Sequence, residues 1–239
     1  MEPANKKVLF LTSAIGILYL VFLYIALKYL WKDGYISLQE ITGSTLLKRF
    51  TQDFITALLF PLLLLFIYRR KPSSLGLIKK NVALCIILFI IYLVFFILRS
   101  DYTVGGIYRA FFYLIMVGAS EEIIMRGYIY LRIKSVNKIT AVIISGILFG
   151  SAHAILPGII AGDSLSFIGI NMLNEIGGGI FGGLLFIACM ELSGTILVAI
   201  LIHSLLDYSY GILGLPVLIV TLGYLVLTNK FQKAAKAKV

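Results

Sequence analysis

Long runs of apolar residues, separated by short polar connectors, repeat along this chain from one end to the other. A helix needs roughly 20 apolar residues to cross a bilayer. Stretches approaching that length occupy 8–30, 54–68, 82–98, 108–130, 139–160, 167–189, 195–208 and 212–228. The pattern predicts an all-α fold, a polytopic integral membrane helical bundle of about eight transmembrane helices. Several stretches fall short of a full crossing, so kinks, re-entrant pieces or displaced edges are expected. No polar stretch is long enough for a separate soluble domain, and residues 1–239 read as one membrane-embedded domain.

Composition narrows the class further. The chain is 60% hydrophobic and 13% charged, with a mean hydropathy of +1.02, whereas soluble domains carry about 25% charged residues. A net charge of +10 would suggest a nucleic-acid partner in a soluble protein. Here the cations lie at the ends of apolar runs, where anionic lipid and the positive-inside rule account for them, and no nucleic-acid partner is expected. The clusters are Lys6 and Lys7; Arg69, Arg70, Lys71, Lys79 and Lys80; Arg132, Lys134 and Lys138; and Lys230, Lys233, Lys236 and Lys238. An even number of crossings with both termini cytoplasmic puts all of them on one side, so a multi-pass cell-membrane protein is expected. The first connector fits less well, because Lys32, Lys48 and Arg49 fall outside, partly offset by Asp33 and Glu40; an interfacial helix is expected there. The apolar run from Val8 to Trp31 exceeds a signal-peptide core and lacks a small-residue cleavage site, so it reads as a retained first span. Cys85 and Cys189 lie in apolar runs without metal-type spacing and read as small core or lipid-facing residues.

Glycine crowds the sixth stretch at Gly177, Gly178, Gly179, Gly182 and Gly183. Close helix packing is the simple reading, since small residues let backbones approach within a membrane; flexibility that admits a substrate segment is the alternative.

Ionisable side chains inside such helices cost at least about 2.5–3.5 kcal/mol each and therefore need a reason. Glu121, Glu122, His153, His203 and Asp207 stand out, and they include both histidines of the chain. Glu122 and Arg126 are four residues apart and share a helix face in the favourable acid-before-base order. Glu121 points about 100° away and is left without that local partner, as suits a general base or acid. A charged helix end at the membrane interface would explain the same segment without chemistry, because Lys134 and Lys138 follow. His153 alone reads equally well as a helix–helix hydrogen-bonding residue. Asp207, four residues after His203, can accept a hydrogen bond from its ring and fix its orientation, or the pair can simply satisfy itself. Three separate helices nevertheless contribute a carboxylate, an imidazole and an imidazole–carboxylate pair. Of the remaining acids, Glu191 reads as a helix-end residue, and Glu175 with Asn171 and Asn174 as lining for a polar cavity.

In chain order the motifs are Glu-Glu-x-x-x-Arg at Glu121, Glu122 and Arg126; Phe-x-x-x-His at Phe149 and His153; and His-x-x-x-Asp at His203 and Asp207. The set resembles the CAAX-protease and bacteriocin-processing family of intramembrane peptidases, also called the Abi family, in its bacterial-type form. The resemblance spans Glu121 to Asp207 and implies a four-helix catalytic core at about 106–210; Gly194-Thr195 also looks like the family's approach to its third motif.

The resemblance implies that Glu121 and His153 activate a water for attack on a peptide carbonyl, with His203 and Asp207 on the oxyanion side. The eukaryotic prenyl-protein enzymes carry Asn at the last position, and an ionised Asp207 cannot donate a hydrogen bond as an amide can. Asp207 is therefore expected to orient His203, with Glu122 and Arg126 in support. No cofactor is expected. Zinc is the competing route, held by Glu121, His153 and His203 with a water as fourth ligand, although the His-Glu-x-x-His spacing is absent. The implied partners are membrane lipid and a peptide or protein entering from the membrane: a CAAX-type protein, a bacteriocin precursor or a pheromone precursor. A non-enzymatic bacteriocin-immunity or scaffold protein is the alternative of another class. A transporter fits less well, since no inverted repeat of interrupted helices is visible. The motif order leads to the expectation of a cavity open toward the basic, cytoplasmic end.

Overall fold

The apolar runs form helices whose ends are set by short capping signals. The computed structural model describes residues 2–69, 71–162 and 164–236, with side chains described as far as residue 232. Of the basic clusters, Arg70 and Lys238 lie outside the described residues, as do the side chains of Lys233 and Lys236. The helices are α1 (Pro3–Lys32), α2 (Leu46–Ile67), α3 (Val82–Arg99), α4 (104–134), α5 (Lys138–Ile160), α6 (Leu165–Ser193), α7 (Ile196–Tyr208) and α8 (Gly214–Lys236). No strand occurs among the described residues. Thr103 caps α4 by accepting the Gly106 N–H at 3.1 Å, and Asn137 caps α5 by accepting the Thr140 N–H at 2.9 Å. Gly194, at φ +72°, closes α6 in the left-handed conformation that glycine adopts freely.

Six of the helices are long and apolar enough to cross a membrane: α1, α2, α3, α5, α6 and the 214–232 part of α8. Of the two other predicted spans, α7 is an apolar helix of 13 residues. The other, α4, is not a uniform helix: π-helical stretches at Phe112–Ala119 and Ile123–Tyr130 flank one α-helical turn, Ser120–Glu122. π-Helical turns are rare and concentrate at functional sites. Here they bracket the paired glutamates.

The largest shift of a helix start concerns α2, which begins eight residues before the predicted 54. Charged residues there stop a hydropathy reading, but Arg49 and Asp53 neutralise each other one turn apart, with Arg49 Nε donating to Asp53 Oδ2 at 2.7 Å. The Tyr108 hydroxyl donates to the same oxygen at 2.7 Å. Arg49 also reaches the Ile36 carbonyl, and Gln52 donates to the Gly34 carbonyl at 3.1 Å. Residues 33–45 are thereby folded back onto the bundle as turns, and the helical part of the predicted connector, Leu46–Asp53, runs continuously into the rest of α2.

Helix ends collect in two sets. Lys134 and Lys138 pair with Glu191, Asn81 donates to the Ser193 carbonyl, Arg132 to the Tyr68 hydroxyl and Asn229 to the Leu192 carbonyl. Arg132, Lys134 and Lys138 of the predicted basic clusters stand at this end. At the opposite end Lys48 meets Asp33, Arg49 meets Asp53 and Arg109 meets Asp101, so its positive charge is largely balanced.

Glycine brings α5 and α6 together. A Cβ on Gly179 would lie 2.5 Å from the Gly150 nitrogen, so the two backbones approach as only small residues allow. Gly177, Gly178 and Gly182 instead face open space. Glu175 and Asn174 are exposed on α6 and Asn171 is partly so, whereas Glu191 occupies the predicted helix end. Cys85 is half-buried and Cys189 buried, both as free thiols.

Candidate active site

Three helices deliver the candidate residues to one place. The central turn of α4 carries Glu121 and Glu122, α5 carries His153, and α7 carries His203 and Asp207. Glu121 Oε2 lies 4.0 Å from His153 Nε2 and 3.9 Å from His203 Nε2. These separations are too long for direct hydrogen bonds, and this oxygen has no hydrogen-bond partner among the described residues. His153 donates its Nδ1–H to the Phe149 carbonyl at 2.9 Å, which turns the other ring nitrogen, Nε2, toward Glu121. The Phe-x-x-x-His spacing supplies this bond one helical turn back.

The pairing of Glu122 is richer than a helix-surface ion pair. Its Oε1 lies 2.9 Å from Arg126 Nη1 and 2.9 Å from His203 Nδ1. His203 Nε2 is 3.4 Å from Asp207 Oδ2. Glu122, from another helix, thus contacts the His203 ring more closely than Asp207 does. Glu122 and Arg126 are fully buried, and His203 is nearly so. The guanidinium is close to Glu122 but not aligned for a hydrogen bond. It lies instead between two rings, 4.3 Å from Phe149 and 5.0 Å from Phe186. Cation–π attraction of this kind is worth more when water is excluded. Phe186 also stacks on the His203 ring at 4.4 Å and 19°.

Phe186, on α6, was not legible as a site residue, since a lone Phe in an apolar run carries no signal. The same holds for the contribution of the N-terminal helices. A cavity of about 150 Å³ is lined by Glu121 and His153 together with Tyr19 of α1, Asp53 and Thr56 of α2, and Met116 of α4. Its lining joins Glu121 to Asp53, whose ion pair with Arg49 stands at the end of the bundle opposite the basic helix ends. The sequence signal that could have shown this was the Arg49/Asp53 pair at helical spacing inside an apolar segment.

Among the described residues no group of three or more His, Cys, Asp or Glu side chains is arranged to hold a metal ion. Donors sharing a tetrahedral zinc at about 2.0–2.2 Å would lie roughly 3.3–3.6 Å apart, closer than Glu121 stands to either histidine.

Helices long enough to cross a membrane, surrounding a partly buried acid–histidine cluster, define a polytopic membrane protein with a water-restricted polar centre. Residues 103–209 match the family described as type II CAAX prenyl endopeptidase Rce1-like, a family of CAAX-type intramembrane proteases, and the resemblance read from the three motifs is borne out at that level. No curated protein and no solved structure matches the chain.

Proposed function

We propose that the chain is an intramembrane endopeptidase that hydrolyses a peptide bond in a membrane-associated protein or peptide: a CAAX-type protein, or a bacteriocin or pheromone precursor. The carrying observation is the placement of Glu121 Oε2 at 4.0 and 3.9 Å from two imidazole Nε2 atoms, beyond direct hydrogen bonding. Gaps of this size between polar atoms suit a bridging water.

In this reading Glu121 and His153 both accept hydrogen bonds from that water. One of them takes its proton as the oxygen attacks the carbonyl carbon. His203, held by Glu122 and flanked by Asp207, faces the oxygen that becomes negative and supplies an N–H from Nε2. A donor fixed in advance in a water-poor site stabilises such charge without reorganising. The tetrahedral intermediate then collapses, the C–N bond breaks, and the proton returns to the departing nitrogen from Glu121 or His153. The route uses no metal, because Glu121 and His153 supply the base directly. Metal content of the purified protein, with activity before and after chelation, tests this: stoichiometric zinc whose removal abolishes cleavage would overturn it.

We further place both termini and the basic helix ends in the cytoplasm, with the balanced end outside, as the positive-inside rule requires. Reporter fusions at either terminus check this orientation.

The reading is tested by comparing the membrane peptides of cells expressing the wild type, Glu121→Gln or His153→Ala. Each variant should insert normally and lose cleavage by about 10²–10⁴-fold, the usual contribution of a general acid–base group. Full cleavage in either variant removes it from the mechanism. A host phenotype that persists in both would favour the non-enzymatic immunity or scaffold role.

A further inference from the structure

The cavity beside Glu121 has two chemically different parts. Leu23 and Leu27 of α1 with Phe112 and Met116 of α4 form apolar walls, while Asp53 and Thr56 of α2 add polar groups to the lining. Asp53 is 2% exposed. Its Oδ2 accepts from both Arg49 and Tyr108, and neither bond uses Oδ1. A carboxylate oxygen in such surroundings is costly to leave unsatisfied, and Asp53 belongs to the cavity lining.

The size of the cavity, about 150 Å³, is that of a space known to accept a benzene ring (~150 Å³). Its charge balance selects further. Arg49 already neutralises Asp53 at 2.7 Å, so a cationic occupant would be brought close to the Arg49 guanidinium and an anionic one to the carboxylate. A neutral group that donates one hydrogen bond meets neither penalty. An apolar ring that leaves Oδ1 unpaired binds less well, as sites built to hydrogen-bond a hydroxyl discriminate against analogues lacking it.

We propose that this cavity is a specificity pocket for one substrate side chain next to the bond attacked at Glu121, and that it selects an aromatic ring carrying a neutral donor, tyrosine in preference to phenylalanine, with Asp53 Oδ1 as acceptor. The peptide context rests on the peptidase reading; recognition of the ring does not.

The test therefore uses small probes first. Purified full-length protein in detergent is titrated with p-cresol, toluene and 4-methylbenzylammonium. The reporter is Trp31, the only tryptophan, whose ring lies 6.1 Å from that of Tyr35, another cavity-lining residue. p-Cresol should give a saturable signal at least about tenfold tighter than either competitor, the lower end of what one buried hydrogen-bonding mismatch imposes.

Asp53→Asn is the direct variant, but it leaves Arg49 without its counter-charge and can fail to fold. Ala57→Leu, at another lining position, fills the space and should abolish the saturable component, leaving only partition into the micelle. Equal binding of toluene or the ammonium, or no difference between the wild type and Ala57→Leu, overturns the proposal. Cleavage of a peptide mixture by the wild type and Glu121→Gln is measured in parallel. Ring binding without Glu121-dependent cleavage would sink the peptidase reading and leave the pocket standing. Glu121-dependent cleavage without ring binding, or with no enrichment of tyrosine at one position near the cut, would sink the pocket alone.

Discussion

One oxygen of Glu122, Oε1, stands 2.9 Å from Arg126 Nη1 on its own helix and 2.9 Å from His203 Nδ1 on α7. A single buried carboxylate therefore balances a guanidinium and sets the direction of an imidazole. Glu121, its neighbour in sequence, is left facing the cavity with both Nε2 atoms in reach. The division of labour follows from helical geometry, since adjacent residues point about 100° apart.

Glu122→Gln should act first on stability. It preserves shape and can still accept from His203, but it leaves the Arg126 charge buried without a counter-charge, a change that costs about 3–5 kcal/mol in comparable pairs. Thermal unfolding in detergent should show a marked drop. The double variant Glu122→Gln/Arg126→Gln should lose less than the sum of the two single variants. Strict additivity would mean that the pair is not coupled.

Asp207 contacts His203 at 3.4 Å and is partly exposed, so its charge should matter less than its shape. Asp207→Asn is expected to keep cleavage within about tenfold, or about 1.4 kcal/mol, whereas Asp207→Leu should lose more. Steady-state rates on one cleaved peptide decide this, and a collapse in Asp207→Asn would give the carboxylate a direct role in the reaction.

Packing between α5 and α6 should be intolerant at one glycine and tolerant at its neighbour. Gly179→Val drives side-chain atoms into the α5 backbone, which lies 2.5 Å from the position of a Cβ. It should destabilise by about 1–3 kcal/mol or more and displace Phe186 and His153 relative to each other. Gly182→Ala meets open space and should leave stability nearly unchanged. Detergent melting curves of the two variants, taken side by side, provide the check.

The start of α4 should respond to acid. Asp101 lies in the connector before α4, and the Thr103 hydroxyl, which donates to it at 2.6 Å, is the main reason its carboxyl is held below the ordinary range. A depressed folded-state value means stabilisation that is present above the unfolded value of about 3.9 and lost as pH falls through the lower, folded one. Thr103→Ala, which also removes the helix cap, should cost about 1 kcal/mol at neutral pH, with a smaller difference from the wild type below about pH 4. Amide exchange at 104–107, followed against pH, measures it.

Much of this protein was legible in its sequence because the bilayer makes strong demands of composition. Apolar length alone located the helices, and in a nearly uncharged interior a handful of ionisable residues at Glu121, Glu122, His153, His203 and Asp207 could not pass as ordinary surface. Fixed spacings also carried local partnerships: Glu122 with Arg126, His153 with the Phe149 carbonyl, His203 with Asp207. What only the tertiary structure decided were the relations across helices. Glu122 reaches His203 because α4 and α7 pack together, and Phe186 covers the same ring because glycines let α6 close on α5. The start of α2 was misplaced because hydropathy counts the Arg49 and Asp53 charges as polar, while folding cancels them against each other. Spacing along one helix is dictated by covalent geometry and so can be read from the chain; the meeting of separate helices depends on packing, which no single segment encodes.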